Sequence, residues 1–124
     1  MKDDIWGEVS FDTGWNRNDK IHLWETDYEI LVTAVAYYEH EAITDEQRRA
    51  YQDFGRDKTA MEKKIEQLLA SHIEAPQKHL KPRFLVFERN GKYALMLDSD
   101  IDPDDGIAVQ LAPEEKVMSQ DAYL

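Results

Sequence analysis

Along the chain, hydrophobic and polar positions change period twice. Ile5, Gly7, Val9 and Phe11 alternate with Trp6, Glu8, Ser10 and Asp12, a period of two that predicts a strand over residues 5–11. Thr13-Gly14 and residues 16–19 are rich in turn formers. A short strand is expected at 21–25 and another at 28–37. The latter contains Glu-Ile-Leu-Val-Thr-Ala-Val-Ala, apolar on both parities, as befits a strand covered at least partly on both faces at the sheet centre.

The period then lengthens. Thr44 and Gln47 have the spacing of a capping box, with Asp45 and Glu46 at the positive end of the helix dipole. Tyr51, Phe54, Met61, Ile65, Leu68 and His72 continue a seam of three- and four-residue steps. Gly55 interrupts it, and Thr59 with Glu62 has the spacing of a second box. One helical arm over 45–73, kinked or broken between Gly55 and Lys58, is the expected result.

Period two returns after an exit loop bracketed by Pro76 and Pro82. Residues 83–89 and 92–98 flank Asn90-Gly91, which predicts a hairpin with a two-residue type I′ turn. An acidic loop over 98–106 leads to a strand at 107–111, ended by Pro113. Strands, then helix, then strands argue against a parallel βαβ array. The expected fold is a single α+β domain over residues 1–124: a two-layer sandwich with a mainly antiparallel sheet of about six strands and the arm across one face.

Composition narrows the functional classes. The formal net charge is −11, which disfavours nucleic acid and anionic membranes and favours a basic protein surface, although acidity also serves solubility alone. There is no Cys, so thiolate metal sites, disulfides and Cys nucleophiles are ruled out. No apolar run has the length of a membrane span or a signal peptide, and a cytoplasmic location is expected.

Catalytic signatures are missing from the pattern. The glycines are isolated, with no phosphate loop, and no GxSxG elbow or HExxH pair occurs. His40 between Glu39 and Glu41 reads as a charged strand exit, since adjacent residues rarely point at one ion. The loop Asp98-Ser-Asp100-Ile-Asp102-Pro-Asp104-Asp105-Gly106 begins like a calcium loop. Counted from Asp98, however, Pro103 stands where Gly is needed and Val109 where Glu is needed; counted from Asp100, these places hold Asp105 and Leu111. No catalytic, cofactor-binding or metal-binding residues, and no cofactor, are assigned.

Charge and aromatic placement point instead to recognition. Residues 78–92 carry five Lys or Arg against one acid, Glu88, and residues 93–115 carry seven acids and no base. If Ile5, Val9 and Phe11 face the helix, Trp6 faces away; if Ile21 and Leu23 do, His22 and Trp24 face away. Trp6 and Trp24 are then candidate anchors beside His22, with Asp100, Asp102, Asp104 and Asp105 steering a basic partner. Alternatively, the tail Ala122-Tyr123-Leu124 or a bend in the sheet covers these tryptophans.

Several segments together resemble a bacterial family of unknown function: the Ile5-Trp6-Gly7 strand, Thr44-Asp45-Glu46-Gln47 with Tyr51 and Phe54, the hairpin from Leu85 to Leu97, and Asp105-Gly106-Ile107-Ala108-Val109. The resemblance implies a two-layer α/β sandwich, and some members look like candidate immunity proteins of toxin loci. The leading expectation is thus a protein-binding module, in its most concrete form an immunity protein that blocks a basic toxin. Two others stand beside it: a small-ligand binder or enzyme with a helix–sheet pocket using His72, Tyr51 or Asp98, and a homo-oligomeric domain pairing through the Trp-bearing face. The sequence does not specify the oligomeric state.

Overall fold

The apolar run after Tyr28 becomes β5 (Thr26–Ala34), an interior strand of a seven-stranded sheet in the computed structural model, which describes residues 1–124. Before it come β1 (Lys2–Asp3), β2 (Gly7–Glu8), β3 (Ser10–Phe11) and β4 (Trp15–Leu23). After it come α1 (Asp45–Arg56), α2 (Lys58–His72) and a 3₁₀ turn at Pro76–Lys78. The chain closes with β6 (Leu80–Phe87), β7 (Tyr93–Ser99), β8 (Ile107–Ala112), β9 (Lys116–Ser119) and α3 (Gln120–Tyr123). The sheet order is β3-β4-β5-β6-β7-β8-β9, while β1 and β2 form a separate two-stranded ribbon. The expected two-layer α+β architecture holds, with seven strands in place of six.

One neighbour relation departs from the antiparallel expectation. β5 and β6 pair in parallel, Leu31 opposite Phe84 and Ala34 opposite Phe87, and the helices form the crossover between them. Gln47 secures this crossover. Its side-chain amide donates to Val35 O and Phe87 O, both at 3.0 Å, while its oxygen accepts from Thr44 N at 2.9 Å. Thr44 Oγ1 caps Gln47 N at 3.1 Å and donates to Arg89 O at 2.8 Å. The predicted capping box is present, and it ties the start of α1 to the ends of both parallel strands.

The helical arm is broken at Asp57 (φ −107°, ψ 23°), which separates α1 from α2; Gly55 itself is helical and exposed. The second box is not used, because Glu62 turns inward. Its Oε2 accepts from His22 N at 2.6 Å, and Lys58 Nζ donates to Lys20 O at 2.6 Å. Beyond Asn16, β4 is a sheet edge, and these two side chains satisfy backbone groups that would otherwise be open to strand pairing.

Two turns exchange the chemistry expected of them. Only Gly91 has positive φ (90°) in the β6–β7 loop; Gly91 N donates to Glu88 O at 2.9 Å and Glu88 N to Lys92 O at 2.7 Å. The loop is therefore a β-turn followed by a left-handed Gly, a three-residue connection instead of a type I′ turn. The two-residue connection lies between Leu23 and Thr26, where Trp24 (φ 51°) and Glu25 (φ 61°) are both left-handed. The turn expected at 16–19 falls inside β4. Asn16 satisfies its side chain there by donating to Asp12 O and Gly14 O and accepting from Thr33 Oγ1.

The N-terminal segment is not one strand. The buried Asp3 carboxylate accepts from Ile5 N at 3.0 Å and Trp6 N at 2.9 Å, bending the chain between β1 and β2. This turns Trp6 under the helices, where it is 0% exposed, stacks on Tyr51 with centroids 4.5 Å apart and meets Phe87 edge-on at 5.3 Å. Phe87 in turn stacks on Tyr93 at 4.7 Å. Around these aromatics, Ile21, Leu23, Val32, Leu85, Leu95 and Leu97 from the sheet meet Ile65 and Leu69 from α2.

Arg48 fixes the bend from the helix side, with Nη2 2.6 Å from Asp3 Oδ1. Burial alone would raise the Asp3 carboxyl; the hydrogen bonds from Arg48, Trp6 N and Ile5 N outweigh it and hold the pKa below its ordinary value. A depressed carboxylate stabilises the fold above its unfolded pKa of about 3.9 and loses that contribution as pH falls through the lowered value. Asp3→Asn is accordingly expected to destabilise at pH 7, with the gap from the native chain narrowing in acid. Thermal midpoints measured across this window check it; a gap independent of pH would count against the ionised pair.

Candidate functional site

Sheet register decides which predicted residues meet. β4 ends at Leu23 and β5 begins at Thr26, so the Trp24-Glu25 turn marks one end of the sheet. β6 runs parallel to β5 and starts at that end, and antiparallel β7 finishes there, Leu80 opposite Ser99. The loop 100–106 therefore emerges from the same end as Trp24. Three strand spacings separate the two turns, about 14 Å.

Within this end the residues differ in what they offer. Trp24 is half-buried and packs against the helix-side core instead of facing away from it as expected, because its left-handed turn breaks the alternation of β4. It meets Tyr28 edge-on with centroids 6.4 Å apart. His22 is exposed on the adjacent strand, its Nδ1 2.7 Å from Asp27 Oδ1; the Asp27 hydrogen bond raises the imidazole pKa, against some desolvation and with help from the Asp27, Glu62 and Glu66 charges. Asp100 Oδ1 lies 2.8 Å from His79 Nδ1. Asp102 and Asp104 are exposed, and their carboxylates make no hydrogen bond or ion pair. Ile101, between two of these acids, is 61% exposed.

Two sequence-predicted site residues are placed otherwise. Trp6 sits in the helix-covered core and has no surface to present, because the Asp3 turn reverses the parity assumed for an unbroken strand. Asp105 Oδ1 accepts from Asp121 N at 2.8 Å, which makes it a tether for α3. The tail does cover part of the sheet's back face, with Tyr123 over Ala94, Met96 and Ala108, but it lies far from Trp24.

The helix–sheet pocket expected from His72, Tyr51 and Asp98 does not assemble. His72 is exposed at the end of α2, Tyr51 packs on Trp6 with its hydroxyl 3.3 Å from Asp19 Oδ2, and Asp98 pairs with Arg83 at 2.8 Å. A shallow groove of about 390 Å³ opens instead between α1 and the β6–β7 turn, bordered by Arg49, Asp53, Lys92 and Tyr93. Burial pushes the Tyr93 hydroxyl up to about 12, assisted by Asp53, Asp57 and Glu115, so it stays a neutral phenol. A second open groove of about 620 Å³ follows the notch where β3 ends beside β4, with Trp15, Arg17 and Glu39 on its walls. No three His, Asp or Glu side chains converge as a metal-ligand set.

Sequence reasoning missed the exposed aromatics. Tyr37 is 75% and Tyr38 64% exposed in the loop after β5. Glu41 Oε1 holds that loop by accepting from both backbone amides, which lowers the Glu41 pKa. Phe84 is 45% exposed in the middle of β6. The apolar run continuing to Tyr37 masked the first two, and the β-bulge at 82–84, invisible in the period, reversed the parity of the third.

Comparison with known proteins finds no family model, no curated protein and no solved structure that matches the chain. No helix is long and apolar enough to cross a membrane.

Proposed function

We propose that the chain is a protein-binding module that receives a basic partner at the end of the sheet carrying Trp24 and the 100–106 loop. The observation that carries this reading is the convergence, on one end, of a partly buried Trp with the unpaired carboxylates of Asp102 and Asp104. Trp is enriched among interface anchors, and unpaired surface charge on a chain of net charge −11 accelerates encounter with a surface of opposite sign. The left-handed φ of Trp24 adds support, since a bulky residue held there is a costly choice for a turn that Asn-Gly would form readily. The resemblance of the sequence to the bacterial family gives the proposal its concrete form: a cytoplasmic immunity protein covering the active face of a toxin.

The test separates the two roles kinetically on the partner recovered by immobilised chain. Asp102→Asn/Asp104→Asn should slow association several-fold and flatten its salt dependence, because steering acts on the on-rate. Trp24→Ala should raise the off-rate by on the order of tenfold or more. Stopped-flow traces indifferent to salt and to both variants would remove this surface from the interface. Asp105 is left intact, since neutralising it would loosen α3.

A further inference from the structure

The sheet face opposite the helical arm carries an exposed apolar patch centred on Phe84. Both helices of the arm lie on the opposite face, against Leu85, Phe87 and Leu95. On the uncovered face, register places Leu31 beside Phe84 and Phe84 beside Met96, with Val86 next along β6. Phe84 is 45% exposed and Leu31 and Val86 are half-buried, while α3 covers only the β7–β8 part of this face. An aromatic ring standing at the centre of an open sheet face leaves the second layer of packing incomplete.

Charge decides the occupant. Acids on this face have bases beside them: Glu29 is opposite Lys20 in the β4–β5 register, Asp98 Oδ2 lies 2.8 Å from Arg83 Nε, and Asp27 Oδ1 lies 2.7 Å from His22 Nδ1. The face is locally compensated, although the whole chain carries −11. A basic partner gains nothing electrostatically there, whereas a second copy can approach without bringing unpaired acids together. The part of the face that α3 leaves open, from β4 to β6, measures about 14 Å across and about 25 Å along the strands, a footprint on the order of 350 Å² before side-chain relief. This is small beside a standard interface, about 800 Å² per partner, so the pairing is expected to be weak and reversible.

We propose that two copies of the chain pair back to back through this face, with Phe84 at the centre and the compensated charge pairs at the rim. The acidic end that carries Trp24 lies outside the contact, so the dimer presents two such ends. The proposal is independent of what those ends bind.

Sedimentation equilibrium of the full chain at rising concentration tests it. The expected result is a reversible shift from 14.5 kDa to twice that mass, not weakened by added salt. Phe84→Asp should raise the dimer dissociation constant on the order of a hundredfold. Phe84→Thr places a β-branched residue, well suited to a strand, at this position and should weaken pairing in a chain that still melts cooperatively. Trp24→Ala should leave the dissociation constant unchanged. A monomer at every concentration would overturn the proposal. So would a dimer that both Phe84 variants tolerate, or one that only Trp24→Ala disrupts.

Discussion

Trp6→Ala is expected to be among the most damaging single changes in this chain, costing about 3–5 kcal/mol. The indole is fully buried between Tyr51 and Phe87, so its removal opens a cavity where helix, sheet and N-terminal ribbon meet. Against a total stability of about 5–15 kcal/mol, that loss should lower the thermal midpoint by roughly 10 °C or more. Trp24→Ala should cost less, about 1–2 kcal/mol, because its side chain is only partly buried at the margin of the core, beside Tyr28. Urea unfolding of the two variants side by side checks the contrast. Similar midpoints would mean that Trp6 does not anchor the core.

The second large effect is expected at Gln47. Gln47→Leu nearly preserves volume but leaves Thr44 N without its partner and removes one of two hydrogen bonds from each of Val35 O and Phe87 O, which keep Arg89 Nη1 and Val35 N. Two lost carbonyl hydrogen bonds at about 0.5–1.5 kcal/mol each, and one amide left without a partner at about 1–3 kcal/mol, give an expected total of about 3 kcal/mol. Thr44→Ala, which removes the reciprocal half of the cap, should cost about 1 kcal/mol by comparison. Guanidinium unfolding of both variants would show whether the larger loss falls on Gln47. A neutral Gln47→Leu would mean that the parallel crossover does not depend on this side chain.

The same residue illustrates how far the sequence can be read. Thr44 and Gln47 announced a helix start, because capping is a contact between residues three apart and needs no knowledge of the rest of the chain. That the Gln47 amide also clamps two strand ends, reached from 12 and 40 residues away, is a long-range fact with no local signature. Glu62 repeats the lesson in reverse. Its spacing from Thr59 suggested a cap, yet the edge of β4 claims its carboxylate. Asn90-Gly91 correctly marked a hairpin, but its turn type depended on whether Asn90 adopted positive φ, and it does not.

The candidate site divides along the same line. Local chemistry distinguished the acidic loop and Trp24 as unusual, and both lie at one end of the sheet because β5 and β6 run parallel, which periodicity does not encode. Trp6 was misplaced by one bend, since alternation assigns faces only within a strand, and Ile5 and Trp6 fall in the turn that the Asp3 carboxylate holds.

What the sequence alone determined about this protein is therefore what short-range physics controls: the α+β class, the helical arm and its start, the hairpin, the acidity, and the lack of cysteine chemistry. The tertiary structure decided which face each tryptophan takes, which Asp carboxylates stay unpaired, how β4 is sealed, and that Phe84 stands on an open face. Those outcomes depend on contacts between residues far apart in the chain, and on a bulge and a bend that shift parity by a single residue.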